Sequence, residues 1–473
     1  MNSSSSPIAE QQPLVSKLYK TIVGFGAMAF WGTMLIRAYF GAYFITDILM
    51  LPATTYAIAG TIQSIMAFFV APMIGAIIDN GKQGKYGKYR KWMLIAPVIH
   101  SICFTLCFLP VSQNVTVMTI YVTITWCMTT FTHSLVFTPY YTLHATIART
   151  PAERTGYVSK RNLWVNIGKL IYSASYLSII AYFGGIFGAQ VWGYTSIVVI
   201  YAIANIILFY LEFLLIGNPE AKLLAERGGE SAETAAVAKK RGPSILDIIR
   251  NVGTNAPFGL VCLNQFGFSF CATIRSTIYV YYYNSVINNP SLYALHLSLA
   301  SVMGILATLA LPQIAKVLEN KHIAAYSFSL QVLFVIGMRF FMLSAPIAGL
   351  VFSMCFEFCS ITNGSIVASM FQDTAVYAEW KTGVSSMGSI IGASQIVGAI
   401  STLICPSIIA AILTGSGYTA GQTVSSSTAT ALVNAICYIP MVICAVAAAA
   451  AFLNPLNNKK LLQYQQEIAA KRA

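Results

Sequence analysis

The sequence predicts an all-α integral membrane protein with twelve transmembrane helices in two six-helix halves. Of its 473 residues, 57% are hydrophobic and only 9% are charged, whereas soluble globular domains carry about a quarter charged residues. The apolar residues form twelve runs of 19 to 30 residues, each long enough to cross a bilayer as a helix. The longest polar stretch divides these runs six and six. A soluble fold is therefore excluded.

Helices are expected for these runs because a transmembrane β-strand needs only about ten residues. A helix also satisfies its own backbone polar groups inside the hydrocarbon layer. The predicted spans cover residues 19–48, 53–78, 92–110, 115–143, 162–184, 190–216, 257–283, 291–315, 322–343, 346–371, 384–413 and 426–453.

Basic residues are concentrated on one side of the predicted bundle. With the N-terminus in the cytoplasm, 24 of the 28 Lys and Arg residues fall in tails and connectors of that side, and the six opposite connectors contain none. Because cytoplasmic connectors are rich in Lys and Arg, both termini are predicted to face the cytoplasm, in a plasma membrane (the inner membrane of a bacterium). The net charge of +13 then reflects topology and contact with anionic lipid, and no nucleic-acid partner is predicted.

The predicted organisation is two bundles joined by a long polar loop, which resembles the layout of major facilitator transporters. A local echo supports an internal repeat, since Arg37 and Tyr43 in the first span match Arg275 and Tyr281 in the seventh. The predicted segments are an N-terminal tail (1–18), a first bundle (19–216), a central loop (217–256), a second bundle (257–453) and a C-terminal tail (454–473).

Polar motifs border the spans and carry a family resemblance. They are Gly-Phe-Gly at 24–26, Thr46-Asp47, Asp-Asn-Gly at 79–81, Gly-Lys-Tyr-Arg-Lys-Trp at 87–92, Thr-Pro-Tyr at 138–140, Ser-Lys-Arg at 159–161 and Asp-Thr-Ala-Val-Tyr-Ala-Glu-Trp-Lys-Thr-Gly at 373–383. Together they resemble the glycoside–pentoside–hexuronide:cation symporter family, whose members include the melibiose and glucuronide permeases. The resemblance covers about residues 20–455 and implies a secondary transporter of the major facilitator fold.

The sequence departs from this family where the family binds its cation. The resemblance implies aspartates on the second and fourth spans, but these positions hold Ala67, Ala71 and Phe137. Hard cations such as sodium need several oxygen ligands. A family-type sodium site is therefore not expected, and no other metal site and no cofactor are predicted.

Three further positions match ligand or coupling positions of the family. Trp31 stands where the resemblance implies a sugar-binding aspartate. Arg161 resembles the family's sugar-contacting arginine, and Lys381 resembles a lysine that faces the cation carboxylates.

Four basic residues and one acidic residue lie deep in predicted spans, where ionisable groups are costly and mark functional sites. We expect Arg37 and Arg275, one from each half, to hold an anionic group of the substrate near the midplane, because the guanidinium fork suits carboxylate, sulfonate or phosphate. Two alternatives stay open. One of these arginines pairs with Glu357 and joins the halves, or Arg339 pairs with Glu357 inside the second half.

Two other polar residues in the spans have two interpretations each. Lys169 either extends to the cytoplasmic face or assists Arg161 in substrate binding or gating. His133 lies in a threonine-rich patch and either bonds to a polyhydroxylated ligand or packs structurally. The tyrosines at 281–283 are expected to form an interfacial belt.

A charged cluster at the cytoplasmic helix ends is expected to form an inner gate. Such networks join the halves in the outward-facing state and break as the halves rock. The acidic residues Glu212 and Asp47 are expected at span ends that water or headgroups reach. The members of the gate are Asp79, Lys88, Arg90, Glu153, Arg154, Asp373, Glu379 and Lys381.

The predicted function is import of a small organic solute by a monomeric secondary transporter with alternating access. An anionic, sugar-like substrate is favoured: a hexuronide, a glucuronide or a sulfonated sugar. Proton coupling through Glu357 or a histidine and facilitated diffusion both stay open. The alternatives are a neutral glycoside or another organic solute, and a transporter-like sensor without flux. An enzyme is not expected, since the spans lack a carboxylate pair and a phosphate loop.

Overall fold

The computed structural model describes residues 14–79, 84, 86–148, 151–226, 255–382, 387–422 and 424–472. These residues form helices with short connectors, and no strand occurs among them. The helices are α1 (Lys17–Ile22), α2 (Phe25–Tyr43), α3 (Ala53–Asp79), α4 (Trp92–Leu106), α5 (Val115–Ile147), α6 (Pro151–Ile186), α7 (Gln190–Ile216), α8 (Pro219–Glu226), α9 (Ala256–Tyr281), α10 (Pro290–Val317), α11 (Asn320–Phe341), α12 (Pro346–Thr382), α13 (Met387–Gly415), α14 (Ser426–Phe452) and α15 (Asn458–Arg472).

Eleven helical segments in the described ranges are long and apolar enough to cross a membrane. Each of them corresponds to one predicted span. Only the third predicted span has no such long helix among the described residues. That span forms α4, an apolar helix of 15 residues with Pro97 inside it. The all-helical membrane fold is therefore confirmed. The described residues contain eleven long apolar helices and one shorter apolar helix, α4, where twelve long helices were predicted.

The two halves repeat one another with an offset of 238 residues. α2 and α9 each continue into one π-helical turn, Phe44–Ile48 and Tyr282–Val286. Two residues after each turn, Met50 and Asn288 have the same positive φ of 53°. The same offset separates the pairs of the sequence echo, Arg37 from Arg275 and Tyr43 from Tyr281. The local echo thus marks a structural repeat.

The halves meet mainly along three helix pairs: α2 with α9, α3 with α13, and α6 with α10. Hydrogen bonds support the α3–α13 pair. Ser64 Oγ donates to the carbonyl of Thr402 at 3.2 Å, and the hydroxyls of Thr61 and Ser407 lie 3.4 Å apart. We call the end of the bundle that carries α1 and α15 the basic end. The opposite end, with the 49–52 and 287–289 connectors, is the uncharged end.

A buried carboxylate holds the break between α1 and α2. Gly24 has a φ of 116°, which favours glycine, and a Cβ there would lie 2.7 Å from Arg161 Cα. Glu212 accepts hydrogen bonds from the N–H groups of Gly24 (3.2 Å) and Gly26 (2.7 Å) and from the Tyr140 hydroxyl (3.0 Å). It therefore caps the positive end of α2. Because Glu212 is fully buried, the expectation that water or headgroups reach it is wrong.

A histidine and a second tyrosine complete this network. The Tyr19 hydroxyl lies 2.6 Å from His144 Nε2 and donates to Glu212 at 3.4 Å. His144 Nε2 is itself 3.7 Å from the Glu212 carboxylate. Sequence reasoning missed His144 because α5 extends four residues beyond the predicted span end at 143.

The connector before α4 is held by α8. The backbone N–H groups of Lys88, Tyr89 and Arg90 donate to the Glu220 carboxylate at 3.1, 3.0 and 3.0 Å. The Arg90 guanidinium donates to the carbonyl of Phe213 at 2.9 Å and lies 3.8 Å from its ring centroid. These contacts of Arg90, predicted to be a gating residue between the halves, stay within the first half.

We expect Glu212→Ala to lower the thermal stability of the purified protein. The change leaves buried N–H and O–H groups without their acceptor, and each such group costs about 1–3 kcal/mol. Glu212→Gln keeps one acceptor oxygen and should be intermediate. Thermal unfolding in detergent measures the effect. Glu319→Ala is the control, because the Glu319 side chain is 28% exposed. Melting temperatures that are equal in all three variants would contradict the capping role.

Candidate functional site

An ion pair within the second half lies at the centre of the site. Arg275 of α9 donates to Glu357 of α12 at 3.1 Å. The same guanidinium donates to the Tyr279 hydroxyl at 2.9 and 2.7 Å and to Ser353 Oγ at 3.2 Å. Its centre lies 3.7 Å from the ring centroid of Phe356. Arg275 is buried, whereas 28% of the Glu357 side chain is exposed. One arginine therefore pairs with Glu357, but the pair does not join the halves.

Arg339 of α11 does not contribute to this pair. Its guanidinium lies 5.9 Å from the ring centroid of Tyr438 on α14, and its buried Nε has no hydrogen-bond partner. The expected pairing of Arg339 with Glu357 is wrong, because Arg275 occupies the carboxylate.

Glu357 borders a cavity of about 260 Å³ between the halves. The cavity is lined by Leu35, Ala38 and Tyr39 of α2 and by residues of α9 and α10. Tyr39 of the first half and Glu357 of the second line the same cavity. One carboxylate of the second half thus shares the cavity with a tyrosine of the first.

Lys169 of α6 lies beside Trp31 of α2. The Lys169 ammonium is 5.7 Å from the Trp31 ring centroid, a distance at which a cation is attracted to an aromatic face. Both side chains are half-buried. The position of the ammonium beside the Trp31 ring favours a role of Lys169 in the interior over an extension to the membrane surface.

Arg37 has a different environment from Arg275. Its Nη1 donates to Thr129 Oγ1 at 2.7 Å, and its centre lies 5.6 Å from the Trp126 ring centroid. Within the described ranges no carboxylate forms an ion pair with Arg37. Arg37 is bonded to α5 and Arg275 to α12, which is the corresponding helix of the other half. No described residue is bonded to both arginines. The predicted clamp is therefore not assembled in this conformation.

Stacked rings follow one face of α5. His133 and Phe137 are 5.5 Å apart with an interplanar angle of 15°, and Phe137 and Tyr141 are 3.8 Å apart at 23°. The Arg161 guanidinium lies 3.8 Å from the Tyr141 centroid. We call His133, Phe137, Tyr141 and Arg161 the ring column. Phe137 is its central member and offers no oxygen ligand.

Three of the remaining predicted gating residues lie at the basic end of α12, and Lys88 lies in the connector before α4. The others have no described side chain. Asp373 accepts a hydrogen bond from Asn320 at 2.9 Å, within the second half. Glu379 and Lys381 lie in the last turns of α12, and each interacts with a neighbouring group. The side chains of Asp79, Glu153 and Arg154 lie outside the described residues. The inner gate stays a prediction.

Polar side chains close the uncharged end between the halves. Tyr418 donates its hydroxyl proton to Asp47 and lies 2.9 Å from Ser285 Oγ. The Thr46 hydroxyl donates to Asp47 at 2.6 Å and lies 2.9 Å from the Tyr281 hydroxyl. We call Thr46, Asp47, Tyr281, Ser285 and Tyr418 the closure cluster. Sequence reasoning missed Tyr418, whose only signal is its place in an uncharged connector.

The tyrosines at 281–283 are not an interfacial belt. Tyr281, Tyr282 and Tyr283 are at most 1% exposed. The Tyr281 ring contacts that of Tyr43, its partner in the repeat, at 5.6 Å between centroids. Helices of both halves cover these rings, and the hydropathy pattern gives no sign of this burial. The predicted interfacial belt is therefore wrong.

Comparison with known proteins places this geometry in a family. Residues 22–458 match the model of the family described as MFS/sugar transport protein. Similar curated proteins include a putative sulfoquinovose importer of Escherichia coli, 24% identical over 98% of this chain and 96% of the relative. A putative 2,3-dihydroxypropane-1-sulfonate exporter of the same species is 24% identical over 91% of this chain and 90% of its own. The isoprimeverose transporter of Lactiplantibacillus pentosus is 22% identical over 85% and 80%.

Solved structures of transporters share the fold. A bacterial homologue of the human lysosomal transporter Spinster has a TM-score of 0.65 at 14% identity, over 96% of this chain and 99% of that chain. A D-xylose–proton symporter has a TM-score of 0.65 at 11% identity, over 93% and 96%. The predicted major facilitator fold is therefore confirmed. The chain belongs to the MFS/sugar transport protein family, as a membrane transporter of the major facilitator superfamily.

Proposed function

We propose that this transporter imports an anionic, sugar-like solute by alternating access. The observation that carries the proposal is the charge of the interior. Arg37 and Lys169 each lack a carboxylate hydrogen-bonded to them, and Glu357, the carboxylate beside the central cavity, is bonded to Arg275. An anionic ligand would supply the missing negative charge.

The cost of buried charge explains why this excess points to a ligand. An ionised group in a low-dielectric interior is stable only when it is paired or hydrogen-bonded. Arg275 meets this condition with three protein partners, whereas Arg37 has one neutral hydroxyl and Lys169 has an aromatic ring at 5.7 Å. The predicted clamp is therefore revised: Arg37 and Lys169 attract the anion, and Arg275 is available only when Glu357 releases it.

A sulfonated sugar or a related organic sulfonate is the substrate class we favour. A sulfonate keeps its charge at all physiological pH values and offers three oxygen acceptors to guanidinium and ammonium donors. Two of the relatives carry names of sulfonate transporters, which supports the same class. The sugar body would lie against Trp31, because an aromatic face suits the apolar face of a sugar ring, and the polar groups of His133 and Arg161 in the ring column would bond to its hydroxyls.

Coupling is proposed to use a proton on Glu357 rather than sodium. The resemblance to the symporter family implies that the cation position corresponds to Phe137 of the ring column, which offers aromatic carbon, whereas sodium prefers oxygen ligands. Protonation of Glu357 would release Arg275 for the substrate anion, so that one proton and one anion would enter together.

The proposed setting is the plasma membrane, the inner membrane of a bacterium, with the basic end in the cytoplasm and the protein as a monomer. The positive-inside distribution of Lys and Arg supports this orientation. The basic connectors would then contact anionic lipid rather than nucleic acid.

The first test is the charge dependence of binding. We expect purified protein to bind a sulfonated hexose more tightly than the matching neutral hexose, measured by thermal shift or calorimetry. Lys169→Met and Arg37→Met should each weaken sulfonate binding roughly tenfold or more, since a hydrogen bond to a charged group contributes about 1.5–3 kcal/mol.

The matched controls are Lys169→Arg and Arg37→Lys, which keep the charge and should retain most of the affinity. Tighter binding of the neutral hexose, or equal affinity in the Met and charge-conserving variants, would rule out the anionic substrate.

The second test concerns the coupling ion. In proteoliposomes, uptake of the sulfonated hexose should rise when the outside is made acidic, and replacing sodium with choline should leave it unchanged. Glu357→Gln should abolish the response to the pH gradient while exchange of substrate across the membrane continues. A requirement for sodium, or a gradient response that persists in Glu357→Gln, would exclude this coupling scheme.

A further inference from the structure

The closure cluster connects the two halves through one carboxylate. Asp47 lies in the π-helical turn after α2, and Tyr418 lies in the connector between α13 and α14. The Tyr418 hydroxyl donates to Asp47 and contacts Ser285 of the turn after α9 at 2.9 Å. Tyr281 of α9 contacts Thr46 next to Asp47 at 2.9 Å. A short chain of hydrogen bonds therefore crosses the interface twice.

A carboxylate acceptor lies at the centre of this chain. Tyr418 donates to Asp47, and the Thr46 hydroxyl has two acceptors within reach, Asp47 at 2.6 Å and the Ala42 carbonyl at 3.1 Å. Each hydroxyl has a single proton, so Ser285 donates to Tyr418, and Tyr281 donates to Thr46. An amide at position 47 keeps one acceptor oxygen, but it is neutral, and a hydrogen bond to a charged acceptor is stronger than one to a neutral acceptor.

The charge of Asp47 is unusual for its location. The connectors at the uncharged end contain no Lys or Arg. The Tyr418 hydroxyl is bonded to Asp47, and the Tyr281 ring lies 5.3 Å from that of Tyr418 and 5.6 Å from that of Tyr43 between centroids. Among the described residues Asp47 has no basic partner and its side chain accepts from hydroxyls, so its stability in the closed conformation depends on the contact between the halves.

The internal repeat makes this position asymmetric. Asp47 and Ser285 differ by the repeat offset of 238 residues, and both contact Tyr418. The repeat brings two equivalent turns to one tyrosine, but only the first half supplies a carboxylate.

We propose that Asp47 and Tyr418 form the latch that closes the outer end of the transporter during its cycle. The latch rests on the proposed alternating access, with the uncharged end outside, but not on the charge of the substrate. Opening to the outside would separate Asp47 from Tyr418, and closing would restore the bond. Asp47 is then a positioning residue for transport, distant from the substrate site.

A disulfide reporter tests the latch without any substrate. Thr61 and Ser407 lie on α3 and α13 of different halves, with their hydroxyl oxygens 3.4 Å apart. The double variant Thr61→Cys with Ser407→Cys should therefore form a disulfide in the closed conformation. A protease site inserted in the central loop reveals the link, since the cleaved halves stay together on a gel until a reductant is added. The variants Thr61→Cys and Ser407→Cys, each with only one introduced cysteine, measure the background from the ten native cysteines.

We expect Asp47→Asn and Tyr418→Phe to slow formation of this disulfide roughly tenfold, because loss of a hydrogen bond to a charged group shifts a two-state equilibrium by about that factor. Asp47→Glu should restore part of the rate. Thr55→Val is the matched control, since the Thr55–Thr119 hydrogen bond of 2.9 Å lies at the same end but within one half. It should leave the rate unchanged.

Two results would overturn the latch. The first is that the disulfide forms as fast in Asp47→Asn and in Tyr418→Phe as it does when both residues are unchanged. The second is an equal slowing in Thr55→Val, which would indicate general loosening of this end. If one latch variant does not fold, the other decides the outcome. A failure of the substrate proposal leaves this readout intact, because disulfide formation needs no bound solute.

Discussion

The ion pair between Arg275 and Glu357 sets the electrostatics of the whole interior. It neutralises one cation of the second half, whereas Arg37 and Lys169 of the first half and Arg339 of the second have no bonded carboxylate among the described residues. Glu357 also remains partly exposed and lines the cavity between the halves. The same carboxylate therefore takes part in the charge balance and borders the site. Removing one partner of a buried ion pair is generally costly, so loss of Glu357 would leave the buried Arg275 without its counter-charge.

The internal repeat supplies the framework on which these asymmetric sites are built. Equivalent backbone features recur at Met50 and Asn288 and in the turns before them. The side chains placed on this framework differ, however. Arg37 binds a threonine where Arg275 binds a glutamate, and Asp47 has Ser285 as its counterpart. The fold follows from the shared pattern, and the function follows from the positions where the two halves diverge.

The fold could be predicted largely from the sequence because hydropathy and positive charge act locally on each span. The α4 helix is the exception, since its apolar run continues beyond the point where the helix ends. The site was less predictable because its pairings join distant parts of the chain. Arg275 and Arg339 have similar predicted depth, and only packing decides which one reaches Glu357. Glu212 looked accessible because its acceptor role depends on Gly24 and Gly26, which are far away in sequence.

The ring column has a kinetic consequence for any solute that moves along α5. His133, Phe137 and Tyr141 are spaced four residues apart, which places successive rings about 6 Å from one another along the helix axis. Since the ring faces are stacked on one another, a sugar-sized solute on this side of the helix would pass from the edge of one ring to the edge of the next. Its contact energy would change little along the way, so the path would be smooth, without deep wells in which a solute is trapped. A carboxylate at the position of Phe137 would interrupt this path with a strongly hydrated charge.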